Sequence, residues 1–122
     1  MANNIDSVLS DLQSLDGFIG AALADSNSGL TLGKIAGPGS FNIELAAALN
    51  TDVMKSKLRA MKSLKLEDHI EDILITLGAQ YHLLRPVSGR PEIFFYVAVD
   101  RKRANLAVAR FLLADAESRL SL

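Results

Sequence analysis

The sequence has 122 residues, 49% of them hydrophobic, which is enough for one domain over residues 1–122 built on one packed core. Its 13 basic and 14 acidic residues give a formal net charge of −1, so the chain lacks the basic field typical of nucleic-acid binding. The absence of cysteine excludes disulfides, thiolate metal ligands and a thiol nucleophile.

The first third of the chain predicts a helix followed by a β-hairpin. Apolar side chains recur at helical spacing over residues 3–15. The apolar run 18–24 leads into the turn-forming stretch DSNSG at 25–29 and an alternating stretch at 30–32, which is typical of a hairpin. The N-terminal segment has no basic region followed by a long apolar run, and no apolar run approaches the ~18 residues of a bilayer span. We therefore expect no signal peptide, no membrane insertion and a cytoplasmic location.

A loop at 36–40 precedes the longest predicted helix, which covers about residues 41–66 and contains no glycine or proline. On a helical wheel its apolar residues form two stripes that together cover roughly 180°, against the ~100° or more of an ordinary surface helix. The first stripe consists of Ile43, Ala47, Met54, Leu58 and Met61. The second stripe consists of Ala46, Leu49, Val53, Ala60 and Leu64.

Two interpretations of the doubled stripe stay open. One stripe can pack on the protein's own sheet, and the second then favours a partner copy, because twofold dimers are the commonest oligomers. Alternatively, a concave sheet buries both stripes within one chain. The partner interpretation is the better supported, since a short chain has few other helices that could cover the second stripe.

The last part of the chain predicts three strands, at 70–77, 81–87 and 93–99, and a helix at about 102–118. The strand at 93–99 is apolar at nearly every position, which is typical of a strand covered on both faces. The element order is α-β-β-α-β-β-β-α. Because there is no βαβ repetition, the pattern favours an α+β fold over a doubly wound parallel sheet.

The sequence contains no catalytic constellation, so we expect neither an enzyme nor a metal or cofactor site. His69 is interpreted as solvated and His82 as a packed or edge residue. The stretch Gly37–Ser40 lacks the pattern of a phosphate-binding loop, and no G-x-S-x-G motif occurs. The acidic residues at 67, 68, 71 and 72 predict a solvated junction complementary to the basic end of the long helix. The basic cluster at 101–103 predicts a surface patch.

Three segments resemble the roadblock/dynein light-chain family, in particular its bacterial members. The first is GFIGAALADS at 17–26 followed by Gly29 and Leu30, which is similar to the family's first hairpin. The second is the alanine-rich long helix followed by a charged strand. The third is Val99 and Asp100 followed by ANLAVAR at 104–110, similar to the closing strand and last helix. The element order agrees over essentially the whole chain.

This resemblance implies a five-stranded antiparallel sheet between the long helix and the two terminal helices. It also implies a homodimer or heterodimer in which the long helices lie side by side and the third strands pair with each other. The function it implies is that of a non-catalytic module that regulates or scaffolds a small Ras-like GTPase. The dimer interface expected from it consists of Ala46, Leu49, Val53, Ala60, Leu64, Ile70, Asp72 and Leu74. The expected GTPase contacts are Asp52, Lys55, Arg59 and Lys62.

The alternative function is a small-molecule sensor, because sheet-and-helix folds of this kind can contain ligand pockets. Its candidate pocket residues are aromatic: Phe18, Phe94, Phe95 and Tyr96. The absence of a convergent set of polar residues argues against it, and these side chains are also what an ordinary core contains.

Overall fold

The computed structural model describes residues 3–122, so the first two residues of the predicted domain lie outside it. The elements follow the predicted order: α1 (Ile5–Asp11), β1 (Phe18–Asp25), β2 (Thr31–Ala36), α2 (Ile43–Ser63), β3 (Ile73–Thr76), β4 (Gln80–Val87), β5 (Arg90–Asp100) and α3 (Leu106–Arg119). A short 3₁₀ turn at Leu12–Ser14 continues α1.

The five strands form one antiparallel sheet in the order β2-β1-β5-β4-β3. The central strand is β5, and its residues 93–99 are all buried. This confirms the prediction that a strand apolar at nearly every position is covered on both faces. The two edges of the sheet are β2 and β3.

Helices cover both faces of the sheet, which confirms the predicted α+β layering. On one face, α1 and α3 enclose a core that includes Leu9, Leu23, Phe95 and Leu113. On the other face, α2 encloses a smaller core. Small residues of β1 let α2 approach closely: a Cβ on Gly20 would lie 3.0 Å from the side chain of Ile43.

Several elements differ in length from the prediction. The helix predicted to start at 102 begins at Leu106, because Asp100 ties residues 102–104 into a turn and the Asn105 side chain accepts from the backbone N–H of Val108. The strand predicted over 70–77 is reduced to Ile73–Thr76. β2 extends to Ala36, further than the alternating stretch at 30–32 indicated.

No helix within residues 3–122 is long and apolar enough to cross a membrane.

Candidate interaction surface

The two apolar stripes of α2 have different environments in the folded chain. Ile43, Ala47 and Met54 of the first stripe are buried against the sheet, while Leu58 and Met61 near the helix end are half-buried. The second stripe, which we call the outer stripe, remains accessible: Ala46, Val53 and Ala60 are half-buried, and Leu49 and Leu64 are 61% and 68% exposed. A single chain therefore does not bury both stripes, and the concave-sheet interpretation is wrong.

An ion pair shows which way the outer stripe points. Lys34 Nζ on β2 lies 2.6 Å from Glu44 Oε2, so the flank of α2 that carries Glu44 faces the β2 edge. At 100° per residue, Glu44 lies almost diametrically opposite the outer stripe. The outer stripe therefore points toward the β3 edge.

The same face of the sheet is incompletely covered near that edge. α2 packs mainly on β1, β2 and β5. Several apolar residues beyond it are only half-buried while contacting the α2-side core: Phe41, Ile70, Ile73 and Ile75. These residues and Ala46 and Val53 of the outer stripe pack against the same core, and we call the outer stripe and these four residues together the α2–β3 surface.

The β3 strand also has a free edge. It pairs with β4 through residues 73–76 and has no partner on its other side among the described strands. Its backbone N–H and C=O groups on that side are available to another strand, which makes an edge of this kind a template for pairing.

The residues predicted for the dimer interface do not all lie together. Ala46, Val53 and Ile70 contact the same core, and Leu49, Ala60 and Leu64 extend the outer stripe along α2. Asp72 and Leu74 lie on the opposite face of the sheet: Leu74 packs on the α1/α3 core, and Asp72 accepts from Arg110 of α3 at 3.1 and 3.2 Å.

Phe41, Ile73 and Ile75 belong to the α2–β3 surface but were not predicted to. The period-two alternation of Ile73 and Ile75 within the strand is a signal that could have identified them. Phe41 precedes the helix and carries no such signal, because its position depends on how the loop enters α2.

The four predicted GTPase contacts are exposed and share the other side of α2. Lys55, Arg59 and Lys62 follow at helical spacing, with Asp52 one turn before them. Within residues 3–122 none of these four side chains has an ion-pair partner within 4 Å. This flank therefore presents three unpaired cations and one anion to solvent.

His82 lies on the α2 face of the sheet, at the margin of the α2–β3 surface. Its ring meets Phe41 and Tyr96 edge to face, its Nδ1 is 3.1 Å from the Tyr96 hydroxyl and its Nε2 is 2.7 Å from Gln80 Oε1. Burial lowers the pKa of His82 and raises that of Tyr96, because both charged forms lose solvation. The neutral imidazole, accepting at Nδ1 and donating from Nε2, satisfies both hydrogen bonds. His82 is thus the packed residue that was predicted, and His69 is exposed, also as predicted.

The aromatic residues of the predicted sensor pocket form no common cavity. Phe94 and Tyr96 are buried in the α2-side core, whereas Phe18 and Phe95 are buried in the core on the other face. A separate open cleft of about 510 Å³ lies between the end of α2 and the β4–β5 turn. Its lining includes Leu58, Met61, Ile70, Arg85, Pro86 and Val87.

The glycine-rich loop before α2 has a structural role. The Gly37 N–H donates to the carbonyl of Ile19, and a Cβ at this position would lie 2.7 Å from the same oxygen. The backbones therefore approach more closely than any side chain permits.

Among residues 3–122, no group of three or more His, Cys, Asp or Glu side chains could hold a metal ion.

Comparison with known proteins identifies the fold. The Roadblock/LC7 domain from Streptomyces avermitilis superposes with a TM-score of 0.77 at 16% identity, over 93% of this chain and 91% of that one. Myxococcus xanthus MglB superposes with a TM-score of 0.79 at 16% identity, over 94% of this chain and 89% of that one. The gliding protein MglB from Thermus thermophilus superposes with a TM-score of 0.77 at 15% identity, over 93% of this chain and 83% of that one. No family model and no curated protein matches the sequence. The chain has the roadblock/LC7 fold, as the sequence resemblance predicted.

Proposed function

We propose that this chain, with its roadblock/LC7 fold, is a homodimeric protein-interaction module that regulates or scaffolds a small Ras-like GTPase. The observation that carries the proposal is the α2–β3 surface: an exposed apolar helix stripe points toward the sheet edge at which the apolar strand β3 is free. Contiguous exposed apolar area of this kind is typical of protein–protein interfaces.

The proposed partner at this surface is a second copy. A twofold axis brings the same patch of both copies together, so an apolar stripe meets an identical apolar stripe. Because the outer stripe and the free β3 edge are adjacent, one contact covers both. The lining is aliphatic and aromatic, with few charged groups to desolvate, as expected for the centre of a lasting interface.

The proposed GTPase site is the charged flank of α2, which the homodimer would leave accessible. Lys55, Arg59 and Lys62 are unpaired in the described part of the chain and lie on the side of α2 away from the outer stripe. Charged rims of this kind speed association and select partners more than they add affinity. The Myxococcus xanthus and Thermus thermophilus relatives are MglB proteins, and the second is named a gliding protein. The GTPase itself is inferred from the family resemblance of the sequence.

The experiment is a binding assay against the small GTPases of the source cell, each loaded with GDP or with a non-hydrolysable GTP analogue. We expect one GTPase to bind in one nucleotide state, and the double variant Lys55→Glu/Arg59→Glu to weaken that binding tenfold or more while the dimer persists. The control is Arg90→Glu, a single charge reversal of the same type at the exposed first residue of β5. Binding unaffected by the double variant would place the GTPase elsewhere, and no binding to any GTPase would overturn the proposal.

The cleft of about 510 Å³ supports small-molecule sensing as a second candidate, since its volume falls in the range of ligand sites. A small molecule that co-purifies in stoichiometric amount and is lost in Met61→Arg, together with no GTPase binding, would favour this function over the first.

A further inference from the structure

The two edge strands of the sheet are protected differently against pairing with other chains. β2 carries Lys34 near its middle, and a charge in that position blocks edge-to-edge pairing. β3 has only Ile73, Leu74, Ile75 and Thr76, and no charged side chain. The open edge at β3 therefore carries no charge along its length, so any charge selectivity at this edge must come from the segments at its two ends.

Those two ends carry opposite charges. Four carboxylates precede the strand: Glu67, Asp68, Glu71 and Asp72. At the other end, Arg101 Nη1 donates to the Leu77 carbonyl at 3.1 Å, and the guanidinium lies 5.5 Å from the centre of the Tyr81 ring. Within the described residues, no carboxylate lies within 4 Å of Arg101.

Strand geometry limits how two β3 edges can pair. Side chains directly opposite each other in an antiparallel pair share a face. In β3, Ile73 and Ile75 face α2, whereas Leu74 faces α1 and α3. We take the α2 helices of both copies to lie on the same face of the joined sheet. An odd-numbered residue of one β3 can then lie opposite only an odd-numbered residue of the other, and an even-numbered residue opposite only an even-numbered one. A pairing through the middle of the strand therefore has its twofold axis at Leu74 or at Ile75.

Both registers bring the two charged ends together. Asp72 of one copy lies opposite Thr76 of the other in the first register and opposite Gly78 in the second, so it is adjacent to Leu77 in either case. Asp72 and Arg101 also share a face: Asp72 pairs with Arg110 of α3, and Tyr81, beneath Arg101, packs on the α1/α3 core.

We propose that Arg101 forms an ion pair with the partner's Asp72, twice in each dimer, and that this pair selects a second copy of the chain at the β3 edge. The inference rests on the proposed homodimer and adds the residues that determine its specificity. Arg110 positions the carboxylate by bonding both of its oxygens, and each oxygen retains a lone pair for a second donor. A strand with the opposite charge order would place like charges together and be disfavoured.

The test is a charge swap between two chains. In the self-dimer of Arg101→Glu, the introduced carboxylate opposes Asp72 at both contacts, and in that of Asp72→Arg two arginines oppose each other at both. We expect each variant alone to associate at least tenfold more weakly than the wild type. Mixed, they form a heterodimer with opposite charges at both contacts. We expect its dissociation constant, measured by analytical ultracentrifugation, to return to within about threefold of the wild-type value, with the heterodimer mass seen by native mass spectrometry.

Two controls keep the outcomes separate. Lys102→Glu makes the same type of change beside Arg101, and we expect it to leave association unchanged. Asp72→Asn removes the charge without introducing an arginine beside Arg110, so it tests the contact even if Asp72→Arg fails to fold. A wild-type dimer that Arg101→Glu and Asp72→Asn do not weaken would overturn the ion pair and leave the homodimer standing. So would mixed Arg101→Glu and Asp72→Arg chains that are both folded and associate no better than either alone. A monomeric wild type would overturn the homodimer itself.

Discussion

At the scale of single residues, Lys65, two residues after the end of α2, has an unfavourable backbone conformation. It is the one non-glycine residue with positive φ, +57°, among residues 3–122. Its N–H donates to the Lys62 carbonyl, and the Leu66 N–H donates to the Met61 carbonyl, which is the pattern that closes helices on a left-handed residue. Glycine is preferred there because a Cβ crowds the backbone when φ is positive.

We therefore expect Lys65→Gly to stabilise the fold. The relief of backbone strain exceeds the additional unfolded-state entropy of glycine, giving a gain of about 0.5–1 kcal/mol in the free energy of unfolding. Urea titration followed by circular dichroism measures the change. The control is Lys62→Gly, within the last turn of the same helix, which should lose about 1 kcal/mol. A loss in both variants would show that the left-handed position carries no strain.

At the scale of elements, the sequence predicted the order and type of every helix and strand, because hydrophobic periodicity and turn chemistry are local signals. It also predicted two apolar stripes on α2. Periodicity alone did not indicate which stripe meets the sheet, since both are apolar, and only the family resemblance assigned the second stripe to the dimer interface. That choice depends on tertiary contacts distant in sequence, such as Lys34 with Glu44 and Gly20 beneath Ile43.

The same limit applies to β3 and its surroundings. The apolar run at 70–77 and the charges around it were visible in the sequence. However, residues 64–72, which follow α2, form neither helix nor strand, so β3 begins only at Ile73. That Asp72 pairs with Arg110, 38 residues away, could not be read from local pattern.

The two stripes of α2 predict opposite effects for the same chemical change. Met54 is fully buried, so Met54→Asp places a carboxylate in an apolar core and should leave the chain unfolded at 25 °C. Leu49 is 61% exposed, so Leu49→Asp should preserve the fold of one chain and weaken the dimer at least a hundredfold. Circular dichroism and sedimentation measure the two effects.

The matched control for Leu49→Asp is Leu30→Asp, which adds the same charge at a leucine 64% exposed on the β1–β2 turn. It should change neither fold nor association. If Leu49→Asp unfolds the chain, the outer stripe is part of the core of a single chain. If it leaves a folded dimer unchanged, the interface lies elsewhere.

At the scale of the whole molecule, the two faces of the sheet are covered unequally. α1 and α3 together enclose the larger core on one face, while α2 alone lies on the other and leaves the part near β3 half-buried. The apolar area missing from the second core is the area that the proposed homodimer would bury. Folding and association are then coupled, because the partner supplies part of the cover of the core.

That coupling predicts a melting temperature that depends on concentration. For a dimer that unfolds to separate chains, a tenfold rise in protein concentration adds about 1.4 kcal/mol to the free energy of unfolding. For a dimer of this size the melting temperature should rise by roughly 3 °C. Differential scanning calorimetry across two decades of concentration measures the shift, with Leu49→Asp as the control that should show none. A wild-type melting temperature independent of concentration would mean that unfolding is not linked to dissociation of a dimer, and that the exposed stripe serves a different protein.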